Sequence, residues 1–288
     1  MMGLLLALAV WPPAAWPEAL KAYSYVVELA RLGANATPLI GELNKAIYLE
    51  EAGAPNASAV VNNVIAQAEA ELPAASLSHW ASIAVDAAVA VIALAALALL
   101  YAKRRELLGR LWLWARGRDR VRRGGPGKPR TLLFDPETAA VIAALVVAVA
   151  AFALAQALAA QRVEAFSAIG LLGPGGKIGG YPASVPVGQP VKLYIYVYNH
   201  EGAPAWFVVA LYLTENASAQ PPLGGRPFAV YQRVLANNES WVAPVEFSLN
   251  STGSYRLVGE LWMYSPVNQS LVYTGNYVQL WINATGHG

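Results

Sequence analysis

The chain has 288 residues, 56% of them hydrophobic, with 9 Trp, 14 Tyr and no cysteine. The missing cysteines exclude any disulfide, so an exported domain in this chain has to rest on its apolar and aromatic core. The formal charge of +2 is a poor guide, because eleven basic and two acidic residues fall between Lys103 and Arg130, which leaves nine basic and sixteen acidic groups elsewhere.

The first residues, Met1 to Trp11, form an apolar run of about ten residues before Pro12-Pro13. That length suits the core of a signal peptide over residues 1–16, although no Lys or Arg precedes it and no clean small-x-small site follows. A short uncleaved anchor, or a start codon placed too late, are the alternatives.

Residues 17–80 read as short amphipathic helices. Leu20, Tyr23, Val27 and Ala30 share a face before Gly33, and Leu39, Leu43 and Ile47 share another before Gly53. Val61, Val64, Ile65, Ala68 and Leu72 make a third after Ser58, which suits an N-cap. The segment is acidic, with seven Glu against three basic residues, and is expected to form a small solvated layer outside the membrane.

Two apolar runs follow. From Ile83 to Leu100 the one charged residue is Asp86, and from Ala139 to Ala160 the one strongly polar residue is Gln156. Each approaches the roughly 20 residues that cross a 30 Å hydrocarbon core. Transmembrane helices are therefore expected at 81–102 and 138–161. Trp80 and Tyr101 bracket the first as interfacial anchors, and Asp135 with Pro136 opens the second as cap and first helical residue. Asp86 lies close enough to Trp80 to reach the outer interface.

The loop between them, 103–137, carries Lys103, Arg104, Arg105, Arg110, Arg116, Arg118, Arg120, Arg122 and Arg123, then Lys128 and Arg130. A short basic loop between two spans stays cytoplasmic. Its arginines suit anionic headgroups of the inner leaflet, and its place directly after a span weighs against nucleic acid despite Trp112 and Trp114. In the second span Ala140, Ala144, Ala148, Ala151, Ala155 and Ala159 recur every three or four residues along one side, the spacing that lets helix backbones approach in lipid. The first span, or another subunit, is the partner expected there.

Residues 162–182 are glycine-dense and read as a linker. The Gly-rich run fails the pattern of a phosphate-binding loop, because residue 171 is Leu and Ile178 follows Lys177. β-type runs then occupy Val191–Tyr198, Ala205–Leu213, Phe228–Val234, Trp241–Leu249, Tyr255–Tyr264, Leu271–Thr274 and Tyr277–Ile282. Val191, Leu193, Ile195 and Val197 alternate with Lys192, Tyr194, Tyr196 and Tyr198, the period of a strand with one buried face. Seven short strands between Gly, Pro and Asn turns predict an immunoglobulin-like β-sandwich over 183–288. The fold class expected is thus a membrane-anchored α plus all-β protein, with a two-helix transmembrane hairpin, a helical extracytoplasmic layer and a C-terminal sandwich.

Seven of the thirteen asparagines stand in the pattern Asn-x-Ser/Thr: Asn35, Asn56, Asn216, Asn238, Asn250, Asn268 and Asn283. Composition alone would give about one such asparagine. None lies between residues 59 and 215. N-glycans are added on the trans side of the membrane, so the map puts both ends outside, the same sidedness as the basic loop.

Gly173-Pro174-Gly175-Gly176-Lys177-Ile178-Gly179-Gly180-Tyr181-Pro182, then Val187-Gly188-Gln189-Pro190 and Val197-Tyr198-Asn199-His200-Glu201-Gly202, resemble an archaeal membrane-protein family built on domain of unknown function 1616. The resemblance spans about 165–265 and is weak over the first 80 residues. It implies an exported immunoglobulin-like domain and an archaeal source, and no activity.

Chemistry-bearing residues are sparse. His79, His200 and His287 have no metal-ligand spacing. His200 beside Glu201 is the one pair to weigh, as a turn or, less simply, as a ligand or catalytic pair. The sandwich contains no Asp, which removes the usual nucleus of a calcium site and half of a glycosidase acid pair. No cofactor or metal is expected, and no enzyme. The expected function is that of a non-enzymatic archaeal cell-surface membrane glycoprotein. Its partners are the lipid bilayer, N-linked glycans, and a protein or glycan bound by the sandwich through residues such as Tyr194, Tyr196, Tyr198, Trp206, Trp241, Trp262 and Trp281. An accessory subunit of a membrane transport or envelope-glycan assembly complex is the alternative.

Overall fold

The computed structural model describes residues 16–103, 109 and 164–286. The basic residues from Arg104 to Arg130 and the alanine row Ala140 to Ala159 lie outside the described residues; Lys103 lies within them. The chain divides into two compact units, one made of Met1–His79 with Glu164–Gly288 and the other of Trp80–Val163.

In the first unit, helix α1 spans Pro17–Arg31 and α2 spans Thr37–Glu51, each with proline in its first turn, where a missing N–H costs nothing. Both end on a glycine in the left-handed region, Gly33 at φ 83° and Gly53 at φ 67°. Ala34 and Ala54 then donate back to the carbonyls of Leu29 (3.0 Å) and Leu49 (2.8 Å) and close the last turns. Helix α3 spans Ala57–Ala102. It starts at Ala57, two residues earlier than a cap at Ser58 requires, and it passes residue 80 without a break, so the expected boundary there falls inside a helix. Pro73 is accommodated within it. The apolar faces expected for the three helices are the buried ones: Leu20, Tyr23, Val27, Leu39, Leu43, Ile47, Val61, Val64 and Ala68 are at most 3% exposed.

Of the second unit, the structure describes the α3 residues from Trp80 to Ala102, whose backbone is helical throughout. Among the described residues no helix is long and apolar enough to cross a membrane. The side chains of much of the Ile83–Leu100 run lie outside that description.

Eight strands build the remainder of the first unit: β1 Phe166–Leu172, β2 Ser184–Pro186, β3 Pro190–His200, β4 Ala205–Thr214, β5 Ala229–Leu235, β6 Ser240–Ser248, β7 Gly253–Tyr264 and β8 Leu271–Thr285. They form a three-stranded sheet, β1-β3-β6, and a five-stranded sheet, β2-β8-β7-β4-β5. Three expectations are corrected here. The presumed linker contains β1, which pairs antiparallel with β3 from Phe166↔His200 to Leu172↔Tyr194. A short parallel strand, β2, precedes the first run. The last two runs are one strand, β8, whose register against β7 shifts between Glu260↔Tyr277 and Trp262↔Tyr273.

The two sheets enclose one core, with Leu193, Ile195 and Val197 of β3 against Phe207, Val209 and Leu211 of β4 and Leu257 and Leu261 of β7. Strand β4 is buried on both faces. Its other face carries Trp206 and Val208, which join Val234 of β5 and Tyr264 of β7 in a second cluster with the apolar faces of α1, α2 and α3. The helices thus cover the outer face of the five-stranded sheet. Tyr23 is the central peg. Its ring meets Trp206 edge-on at 5.9 Å, and Trp206 in turn lies 4.9 Å from Tyr264. The Tyr23 hydroxyl donates toward the carbonyls of Pro204 and Tyr264, both at 3.4 Å, and burial pushes its pKa up to about 12.

One side chain pairs with the edge strand β5 of that sheet at Val234. Asn44 donates Nδ2 to the Val234 carbonyl and accepts from the Val234 N–H, both at 2.8 Å, as a neighbouring strand would. Asn44→Ala is expected to destabilise the full-length protein by about 1–3 kcal/mol in denaturant unfolding, since two backbone groups lose their partner at a half-buried site.

Candidate functional site

The three-stranded sheet turns its second face to solvent. Because successive side chains alternate, burying Val191, Leu193, Ile195 and Val197 sends Lys192, Tyr194, Tyr196, Tyr198 and His200 outward in a single row along β3. The pairing registers define what flanks it. On the β1 side stand Leu172, Gly170, Ala168 and Phe166, and on the β6 side Glu246, Pro244, Val242 and Ser240. The tyrosines are half-buried, and alanine, glycine and proline stand among their neighbours. At Gly170, a β-carbon would already stand 3.6 Å from the Tyr196 side chain.

The row has two different ends. Lys192 and Glu246 form an exposed pair at 3.9 Å at one of them. At the other, the ring of Phe166 lies 4.8 Å from His200 and 6.0 Å from Tyr198, and Tyr198 stacks on His200 within 15° of parallel. Asn238, in the turn before β6, closes this cluster. Its Oδ1 accepts from the Tyr198 hydroxyl (3.3 Å) and pairs with Nδ1 of His200.

His200 and Glu201 therefore do not act on each other. His200 belongs to the aromatic cluster, and the Glu201 N–H donates to Oδ1 of Asn199 at 3.0 Å. Asn199 is fully buried and its Nδ2 reaches the carbonyls of Ala203, Leu235 and Ala236 at 2.9–3.0 Å, which fixes the Asn-His-Glu turn against the end of β5. Among the described residues no three His, Asp or Glu side chains are grouped as metal ligands.

The other aromatic candidates are dispersed. Trp206 is buried under the helices, and Trp241 packs half-buried on the inner core. Trp262 donates Nε1 to Glu260 at 3.1 Å, and Trp281 is exposed on β8. Only the β3 tyrosines are brought together. Phe166 and Asn238 complete their surface and were not read as part of it. Phe166 lay in the presumed linker, and nothing in the sequence pairs Asn238 with strand β3. All seven sequon asparagines, Asn35, Asn56, Asn216, Asn238, Asn250, Asn268 and Asn283, are exposed.

Glu260 is the second group that the sequence did not single out. It is buried on the outer face of β7, where its carboxylate accepts from the Leu223 N–H and from Trp262 and so pins the 215–228 connection over the sheet. Arg256, four residues earlier on the same face, donates to Gln279 of β8 at 2.8 Å and to the Ala219 carbonyl of that connection at 2.6 Å.

Residues 160–283 match the model of a domain of unknown function, DUF1616. The match runs past both ends of the 165–265 stretch that carries the motif resemblance. No curated protein matches the chain significantly. Among solved structures, the chain is similar to the CARDB domain of a Pyrococcus furiosus protein crystallised with di-metal ions, at 14% identity over 42% of this chain and 89% of that one, with a TM-score of 0.30. It is also similar to a β-glucosidase from Listeria innocua, at 9% identity over 43% of this chain and 16% of the enzyme, with a TM-score of 0.31.

Burial holds the Glu260 carboxyl above the usual carboxylate range. The folded protein therefore binds its proton more tightly than the unfolded chain, and stability falls as pH rises from the unfolded value through the folded one. Glu260→Gln lacks this dependence. The melting temperature of the wild type relative to Glu260→Gln is expected to decline as pH is raised from about 4 to 7.

Proposed function

We propose that the chain is a non-enzymatic, membrane-anchored cell-surface glycoprotein of archaeal type, whose β-sandwich binds a protein or glycan partner across the outward row of β3. The observation that carries the binding role is that row: Tyr194, Tyr196 and Tyr198 in register, half-exposed and flanked by Ala168, Gly170, Val242 and Pro244. Tyrosine suits such a surface because it offers a large rigid ring and a polar tip at little cost in side-chain entropy. Val242 and Phe166 at its borders are 47% and 48% exposed, which extends the apolar area.

The anchor rests on two observations. Residues 16–79 and 164–286 belong to one compact unit, and a body built from both ends of a chain stands on one side of a membrane. Any crossings by the intervening residues must then be even in number, which suits the two apolar runs at 83–100 and 139–160. In addition, Ile83, Val85, Val89, Val91 and Ile92 on α3 are 43–68% exposed, and while Val85, Val89 and Ile92 share one face, Ile83 and Val91 lie on others. A helix that is apolar all round is suited to lipid. The basic loop places the connection between the runs inside, and the seven exposed sequons accord with the body being outside.

Binding of full-length protein in detergent to an array of cell-envelope glycans and to a surface-protein extract tests this reading. Tyr196→Ala is expected to weaken the interaction at least tenfold, about 1.4 kcal/mol, with an unchanged melting temperature. Trp281→Ala, on the other sheet, is expected to leave it intact. Equal binding by wild type and Tyr196→Ala would refute the role of the row.

A further inference from the structure

The Asn238 end of the tyrosine row is built differently from the sequon sites at Asn35 and Asn216. At Asn35 and Asn216 the side-chain oxygen accepts from the backbone N–H two residues on, Thr37 at 3.2 Å and Ser218 at 2.9 Å, so each carboxamide serves its own turn. Asn238 instead has its oxygen tied to two aromatic side chains of β3, 38 and 40 residues earlier in the sequence. Its backbone is fixed as well. Asn238 sits at φ 63°, its N–H donates to the Asn199 carbonyl at 2.8 Å, and the next residue, Glu239, donates back to Ala236 at 3.1 Å. Asparagine tolerates that left-handed conformation better than other residues with a β-carbon.

With the oxygen engaged and the backbone held, the exposed Nδ2 leaves the carboxamide in one direction, beside the rings of Tyr198, His200 and Phe166. We propose that Asn238 is a glycosylation site whose first sugars lie on this Phe166–Tyr198–His200 platform, so that the glycan is a fixed part of the β3 surface. The proposal rests on the extracytoplasmic placement given above. Attachment forms a bond from Nδ2 to the anomeric carbon of a lipid-linked sugar as the bond from that carbon to the lipid phosphate breaks; the lipid phosphate leaves as an anion and one Nδ2 proton passes to a base of the transferase. The oxygen and both of its hydrogen bonds are untouched. A pyranose then presents C–H groups to ring faces that carry negative charge density. Phe166, 48% exposed and 4.8 Å from His200, is positioned for such a contact and has no role in the inner core. The glycan would occupy the His200 end of the row and leave Tyr194 and Tyr196 open.

Glycopeptide mapping and thermal melting of the full-length protein, produced in an archaeal host that N-glycosylates, test this together. Ser240→Ala removes the sequon but keeps Asn238, and Ser240→Thr keeps both. The expected result is sugar on Asn238 and a melting temperature lowered by a few degrees in Ser240→Ala but not in Ser240→Thr. That loss should vanish when Ser240→Ala is made in a Tyr198→Ala or Phe166→Leu background. An equal loss in all backgrounds, or sugar at other sequons with none at Asn238, overturns the platform alone. Sugar at none of the seven sequons overturns the extracytoplasmic placement and the platform with it.

Discussion

The packing of Tyr23 on Trp206 is the interaction on which the rest of this molecule depends. Strand β4 is apolar on both sides, and a two-layer sandwich covers one of them. Without α1, α2 and the first half of α3, Trp206, Val208, Val234 and Tyr264 would face water, together with the unpaired edge of β5. The helices resolve both problems. Their apolar faces meet the sheet, and Asn44 supplies at Val234 the pair of hydrogen bonds that a sixth strand would have made there. A layer that composition alone describes as a small acidic cover is in fact the third layer of one body.

That packing has a topological consequence. The covering helices and the covered sheet come from opposite ends of the sequence, with Trp80–Val163 between them. A single body cannot be assembled from segments on two sides of a bilayer, so under the proposed anchoring both ends stand on one side. It also decides which surface is free. The outer face of the five-stranded sheet is taken by the helices at the Trp206 end and by the 215–228 connection at the Glu260 end. The β3 row on the other sheet is left as the ordered aromatic surface, with Asn238 at its border.

Much of this was legible in the sequence, for physical reasons that can be named. Helix ends at Gly33 and Gly53 were visible because a left-handed turn needs glycine, and the β3 face was visible because its period of two is strict. Strand β1 was hidden: Phe166–Leu172 is short and runs into a glycine-rich segment, and its pairing with β3 gives no local signal. The merging of the last two runs into β8 was hidden by Gly275, which marks an irregular register rather than a turn between strands. Ala205–Leu213 reads in the sequence as one β-type run among seven; its burial on both faces comes from the structure, because a sequence does not say what covers the second one. Asn44, Asn199, Asn238 and Glu260 each have at least one partner 36 or more residues away, and no spacing rule finds such pairs.

The central claim, that both ends of the chain form one body outside the membrane, is open to one direct measurement. The chain contains no cysteine, so single cysteines at exposed Asn62, at exposed Val267 and in the basic loop at Arg116 are unambiguous reporters. A membrane-impermeant maleimide applied to intact cells should label Asn62→Cys and Val267→Cys, and should label Arg116→Cys only after the membrane is opened. Labelling of one end without the other, or of the basic loop in intact cells, would contradict the account.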